Sequence, residues 1–129
     1  MKTLCLKGEL FSGKGEGAKF IKLPWVQKQI REKLGFVPYP GTLNVKITEE
    51  SVELKKTLEK QGGVDILPAE GFRRGKCYRA SFKTELKCAL IVPEVAGYPE
   101  SVIEIIGPVN LKEEFNLSDG DTVNVKVKF

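Results

Sequence analysis

Apolar and polar residues alternate along much of this chain, the two-residue period of a half-buried β-strand. Over Thr3–Phe11 the apolar Leu4, Leu6 and Leu10 fall on one side, with a break expected at Gly8. Residues 76–83 alternate cleanly and place Tyr78, Ala80 and Phe82 on one face; residues 86–92 form a more continuous apolar run. Thr84 and Glu85 between these two segments suggest a hairpin. Shorter strands are expected at 43–47, at 64–67 up to Pro68, and at 102–106. Val123, Val125, Val127 and Phe129 alternate with Asn124, Lys126 and Lys128, a strand with one wet face. An extended apolar run over Phe20, Ile21, Lys22 and Leu23 leads to Pro24, where the period changes. The pattern there predicts a helix over Pro24–Leu34, with Trp25, Val26, Ile30 and Leu34 at near-helical spacing and Gly35 at the capping position. The charged stretch 49–60 reads either as a short helix or as an irregular excursion. Many short strands and one clear helix at about 24–34 predict a mostly β chain, a small barrel forming one domain over residues 1–129.

Two turns stand out. The first is Pro38-Tyr39-Pro40-Gly41-Thr42-Leu43-Asn44, in which proline holds φ near −65° and glycine admits φ values closed to other residues. Side chains two apart on the departing strand point the same way, so Thr42 and Asn44 present a hydroxyl and an amide oxygen side by side. Neutral hard oxygens in this arrangement suit Mg²⁺, which keeps several waters and takes other ligands from substrate phosphates. The plainer alternative is a turn whose Thr and Asn serve local backbone hydrogen bonds. The second turn, Leu117-Ser118-Asp119-Gly120-Asp121-Thr122-Val123, resembles those that lead into the strands of cradle-loop and swapped-hairpin barrels.

Composition narrows the function classes. A hydrophobic fraction of 41% and a charged fraction of 29% are those of a globular protein, and a net charge of +4 suits an anionic ligand without the clustered basicity of a nucleic-acid binder. No stretch approaches the ~20 apolar residues of a membrane helix. Residues 1–3 open no signal peptide, so a cytoplasmic protein without membrane partners is expected. Cys5, Cys77 and Cys88 are odd in number and widely spaced, and there is no histidine, so neither a disulfide framework nor a structural zinc site is supported. The missing histidine also excludes Ser-His-Asp and Cys-His catalysis.

Chemistry concentrates in a few segments. Gly13, Lys14, Gly15, Glu16, Gly17 and Ala18 form a run with little side-chain bulk, able to bring successive backbone N–H groups close to phosphate oxygens or simply to form a hairpin loop. It is not a P-loop: Gly15 stands where a Ser or Thr would be needed, and no helix is expected directly after the glycines. Glu104 shares its strand face with Val102 and Ile106, so it either finds donor partners or reaches water at a rim. Val109, Asn110, Leu111 and Lys112 follow Gly107-Pro108, with Lys112 a candidate phosphate contact. Arg73, Arg74 and Lys83 are weaker candidates of the same kind.

Together these segments resemble the archaeal CTP-dependent riboflavin kinase family. The match rests on the glycine run with Phe20 and Leu23, on Lys33-Leu34-Gly35-Phe36, and on the Pro38–Asn44 bend. It continues through Val92-Pro93-Glu94, Ile103-Glu104-Ile105-Ile106, Pro108, Leu111-Lys112, Leu117 and Asp119-Gly120-Asp121. The resemblance implies a six-stranded cradle-loop barrel that transfers the γ-phosphate of CTP to riboflavin, giving FMN and CDP, with Mg²⁺ as cofactor and as a monomer. It places nucleotide contacts on residues 13–18 and 109–112, Mg²⁺ ligands on Thr42 and Asn44, and a flavin contact on Glu104, also the one candidate to orient or deprotonate the ribityl hydroxyl. A flavin-contacting Thr usual in the family falls on Ala96, and Asn110 and Lys112 stand where Lys and Arg are common. The alternative is a non-enzymatic barrel, either a swapped-hairpin regulator or a flavin-binding module.

Overall fold

A computed structural model of the chain describes residues 3–13, 16–67, 75–82, 86–93 and 97–128. The strand β1, Thr3–Phe11, lies between β2, Leu43–Ile47, and β7, Thr122–Lys128, and is antiparallel to both. The break expected at Gly8 does not occur. Gly8 faces Ile47 on one side and Val123 on the other, and a Cβ there would collide with the Lys46 carbonyl oxygen. The missing side chain is what lets β2 approach, so glycine here continues the ladder.

Three further strands complete a ring: β4, Gly75–Phe82; β5, Lys87–Pro93; and β6, Val102–Ile106. The order β4-β5-β6-β2-β1-β7 closes on itself because Ala80, Ser81 and Phe82 of β4 pair with Val127, Lys126 and Val125 of β7. This is a closed six-stranded antiparallel barrel, as expected, and closure leaves those six strands no long free edge. A short strand β3, Val64–Ile66, adds to the start of β4 outside the ring. The expected β4–β5 hairpin is present in the pairing of Ser81 with Lys87, although residues 83–85 lie outside the described residues.

Two apolar cores explain the two strand patterns. Leu6, Val45, Leu90, Ile105 and Val125 fill the barrel, while Cys77, Ala89, Ile91 and Ile106 face outward beneath two helices. Strands β4 to β6 are therefore covered on both faces and read as apolar runs; β7 is wet outside and alternates. Burial pushes the Cys77 thiol up to about 12 and the Cys88 thiol up to about 11, so both behave as core residues.

The outer core is built by α1, Glu16–Ile21, and α2, Pro24–Leu34. The second follows the predicted bounds, buries Val26, Ile30 and Leu34, and ends at Gly35 with φ 83°. The first corrects an expectation. Phe20 and Ile21 are helical, and the chain reverses where the Leu23 N–H donates to the Phe20 carbonyl at 3.1 Å. A six-residue helix is too short to display a period, so three nearly contiguous apolar residues, Phe20, Ile21 and Leu23, resembled a strand. A helix does begin at Glu16, inside the glycine run, but residues 8–11 of the would-be loop are paired in β1 and position 15 carries no hydroxyl, so the segment is still not a P-loop.

The charged stretch is a helix, α3, Glu49–Lys60, started by Thr48, whose hydroxyl accepts from the Ser51 N–H at 3.2 Å, with Glu49 and Glu50 in its first turn. A one-turn helix, α4, Leu111–Glu114, is capped by the Asn110 side chain. Four helices are thus present among the described residues, where the pattern predicted one clearly.

Candidate active site

The ends of β1 and β6 and the start of β2 meet at one mouth of the barrel, and a cavity of about 310 Å³ opens there. Its wall takes Ser12 and Gly13 from the end of β1, Thr42 and Asn44 from the bend, and Val109 to Lys112 from the segment after β6. Three stretches far apart in sequence become one surface, with the size and mixed polarity of a small-ligand site.

The bend is rigid for identifiable reasons. The Tyr39 N–H donates to the Gly107 carbonyl at 2.8 Å, and the Gly41 N–H donates to the Tyr39 carbonyl at 2.8 Å. This ties the bend to the end of β6 and aims Thr42 and Asn44 into the cavity. Asn44 lies opposite Glu104 in the β2–β6 ladder and opposite Phe11 in the β1–β2 ladder. Gly13 packs against the Asn44 amide so closely that a Cβ at position 13 would sit 2.7 Å from Oδ1.

Glu104 is 2% exposed, which removes the possibility of a rim carboxylate reaching water. It accepts from Thr42 Oγ1 at 2.8 Å through Oε1 and from the Tyr98 hydroxyl at 2.6 Å through Oε2. Two short donor bonds offset the desolvation of a buried carboxylate. Glu104 does not itself line the cavity; it stands behind Thr42. A hydroxyl has one proton and two lone pairs. With its proton committed to Glu104, Thr42 offers the cavity only lone pairs, the electronic character a cation ligand requires. Among the described residues no group of three or more Cys, Asp or Glu forms a metal cage. Thr42 and Asn44 fit instead a hard divalent cation that completes its shell with water and phosphate oxygens.

The opposite wall is polar. Asp119 accepts from Ser12 Oγ at 2.6 Å and from Lys112 Nζ at 3.0 Å, joining the foot of the glycine run to α4. These contacts hold the Asp119 carboxyl below its usual range, the Ser12 hydrogen bond first and Lys112 second. A carboxyl with a depressed pKa keeps its favourable contacts above its ordinary pKa and loses them as pH falls through the lowered value. Ser12→Ala should therefore move the Asp119 titration midpoint up toward the ordinary carboxylate value, as read by carboxyl-carbon NMR. An unchanged midpoint would refute the hydrogen bond as the main cause. Asn110 Nδ2 donates to the Tyr39 hydroxyl at 3.3 Å, a second tie across the mouth.

Gly13, Thr42, Asn44, Val109, Asn110, Leu111 and Lys112 are thus brought together, with Glu104 one layer behind. Glu16, Gly17 and Ala18 belong to α1, and Ala18 does not line the cavity. Lys14, Gly15, Arg73, Arg74, Lys83 and Ala96 lie outside the described residues. Sequence reasoning passed over Ser12, Tyr39, Asp119 and Tyr98 as site residues. Ser12 borders the glycine run, and Tyr39 and Asp119 lie inside the two marked turns, so adjacency was a usable signal. Tyr98 carried none, because its contact with Glu104 depends on how the β5–β6 connection folds back.

A family model described as "CTP-dep_RFKase: Domain of unknown function DUF120" matches residues 10–127. The chain is 40% identical over 132 residues to a protein named riboflavin kinase from Archaeoglobus fulgidus, covering 97% of this chain and 55% of that protein. It is 39% identical over 135 residues to the riboflavin kinase of Methanosarcina barkeri, covering 99% and 58%, and 38% identical over 129 residues to that of Ignicoccus hospitalis, covering 98% and 72%. The chain therefore spans little more than half the length of the first two relatives.

Proposed function

The chain belongs to the CTP-dependent riboflavin kinase family, and on that premise we propose that it transfers the γ-phosphoryl group of CTP to the 5′-hydroxyl of riboflavin, giving FMN and CDP. The observation that carries this reading is the convergence of Gly13, Thr42, Asn44 and residues 109–112 on one cavity. In the transfer, the 5′-oxygen bonds to the γ-phosphorus as the bond from that phosphorus to the β,γ-bridging oxygen breaks, and the hydroxyl proton is released. Such a loose transition state asks the protein for alignment and charge neutralisation more than for a strong base. A chain without histidine can meet that demand.

The roles then divide along the cavity. Residues 13–18 bind the nucleotide through backbone N–H groups, and Lys112 supplies positive charge to a phosphate by exchanging Asp119 for it. Thr42 and Asn44 would hold Mg²⁺, which when bound would neutralise phosphate charge as the γ-phosphoryl group transfers. The flavin contact that the family places on Glu104 would act through Thr42, which stands between the carboxylate and the cavity, and that burial favours positioning over proton abstraction. Family membership does not favour the reading of a non-enzymatic barrel. No helix among the described residues is long and apolar enough to cross a membrane.

The test is FMN yield from riboflavin and Mg²⁺, with CTP and ATP in parallel. FMN with CTP alone is the expected result. FMN with both would keep the kinase and remove the nucleotide preference. No FMN with either would overturn the proposal.

A further inference from the structure

Thr42 and Tyr98 both donate to Glu104, and of these two only Thr42 belongs to the cavity wall. The other, Tyr98, arrives from the connection between β5 and β6, six residues before Glu104 in sequence. That connection is itself held in place. Lys55 of α3 is 4% exposed, and its Nζ donates to the carbonyls of Glu100 at 3.2 Å and Val102 at 3.4 Å while lying 5.9 Å from the centre of the Tyr98 ring. Burial of an ammonium is costly, and desolvation holds the Lys55 pKa below its ordinary value despite Glu59 and Glu100 nearby. A fold that accepts this cost is stabilising the turn at residues 97–101, and with it the position of the Tyr98 hydroxyl. The Ile47 N–H, donating to the Ser101 carbonyl at 2.8 Å, ties the same turn to the end of β2.

We propose that Tyr98 is a positioning residue of this site. By donating to Glu104 it fixes the carboxylate, and through the carboxylate it sets the Thr42 hydroxyl with its proton turned inward and its lone pairs turned to the cavity. The inference rests on reading Thr42 and Asn44 as ligands of a divalent cation shared with the nucleotide. Without the Tyr98 hydroxyl, the buried Glu104 carboxylate has one strong anchor fewer and rotates to recover it. Thr42 Oγ1 then follows its acceptor, and the ligand pair loses alignment. Removing a ligand's direct hydrogen-bond partner typically changes metal affinity about 10–100-fold, and Tyr98, one contact further out, belongs at the lower end.

The experiment is a titration of the full chain with Mn²⁺ in the presence of CDP, following free Mn²⁺ by electron paramagnetic resonance and leaving riboflavin out. Tyr98→Phe removes only the hydroxyl and should weaken Mn²⁺ binding about tenfold, with CDP affinity in EDTA unchanged. Lys55→Met keeps the hydroxyl but releases the turn, and should weaken Mn²⁺ binding in the same direction and to a smaller extent. A merely structural role would lower the melting temperature and leave the Mn²⁺ affinity alone. Mn²⁺ affinity equal to that of the unmodified chain in both variants would overturn the role of Tyr98 while leaving the cation site standing. Failure of the unmodified chain to bind Mn²⁺ with CDP would instead remove the cation site and the inference with it. FMN formation, measured separately, reports on the kinase reading alone.

Discussion

Thr42→Val should lower kcat/KM for FMN formation by about 10²-fold or more, because a divalent cation is worth several kcal/mol of charge stabilisation and each ~1.4 kcal/mol is tenfold in rate. Valine keeps the shape of threonine and removes both functions of the hydroxyl: the lone pairs offered to the cavity and the proton given to Glu104. The second loss is also a stability effect. A 2%-exposed carboxylate deprived of one donor should cost about 1–3 kcal/mol, read as a lower midpoint in urea. Thr42→Ser retains the hydroxyl and should keep most of both. Full turnover by the valine variant would mean that Thr42 is a turn residue and nothing more.

Gly13→Ala should reduce FMN formation by about 10–100-fold, the range for disturbing a ligand's support, and yet leave stability nearly unchanged. The new Cβ would stand 2.7 Å from Asn44 Oδ1, below any tolerable contact, so one of the two must move. The atoms in the way, Asn44 Oδ1 at 2.7 Å and Cγ at 2.8 Å, belong to a side chain and not to the backbone, so the whole amide must turn about χ1 while the strand stays in place. Swinging aside removes the amide oxygen from the cavity. A double-mutant cycle separates this from damage to the glycine run itself. If Asn44 carries the effect, adding Gly13→Ala to Asn44→Ala should cost almost nothing further. An additive double mutant would place the damage in the glycine run, through its contact with nucleotide.

Most of the strands and the helix Pro24–Leu34 were legible in the chain because each is a local periodicity. Alternation in 123–128 appears in β7 as buried and exposed positions in strict succession. Thr42 and Asn44 were legible as a pair for the same reason, since their two-residue spacing determines a shared direction. The helix at Glu16–Ile21 was not legible, because six residues complete fewer than two turns and its apolar pair Phe20-Ile21 is ordered by packing against β5 and α2. Gly8 was misread as a break because its role, admitting the backbone of β2, exists only when β2 is beside it.

By itself, then, the amino-acid sequence determined most of the strands, where the bend is rigid, that histidine chemistry is absent, and which residue types are available at the site. Those are properties of neighbours along the chain, where steric limits on φ and the direction of successive side chains act over a few residues. Only the tertiary structure decided that β4 closes on β7, that Glu104 is sealed from water, and that Tyr98 and Thr42 hold its two oxygens. The residues in these contacts lie between 6 and 62 positions apart for Glu104, and about 45 for the barrel seam. A hydrogen bond depends on separations of a few tenths of an ångström, and over such distances along the chain those are set by how the whole barrel packs.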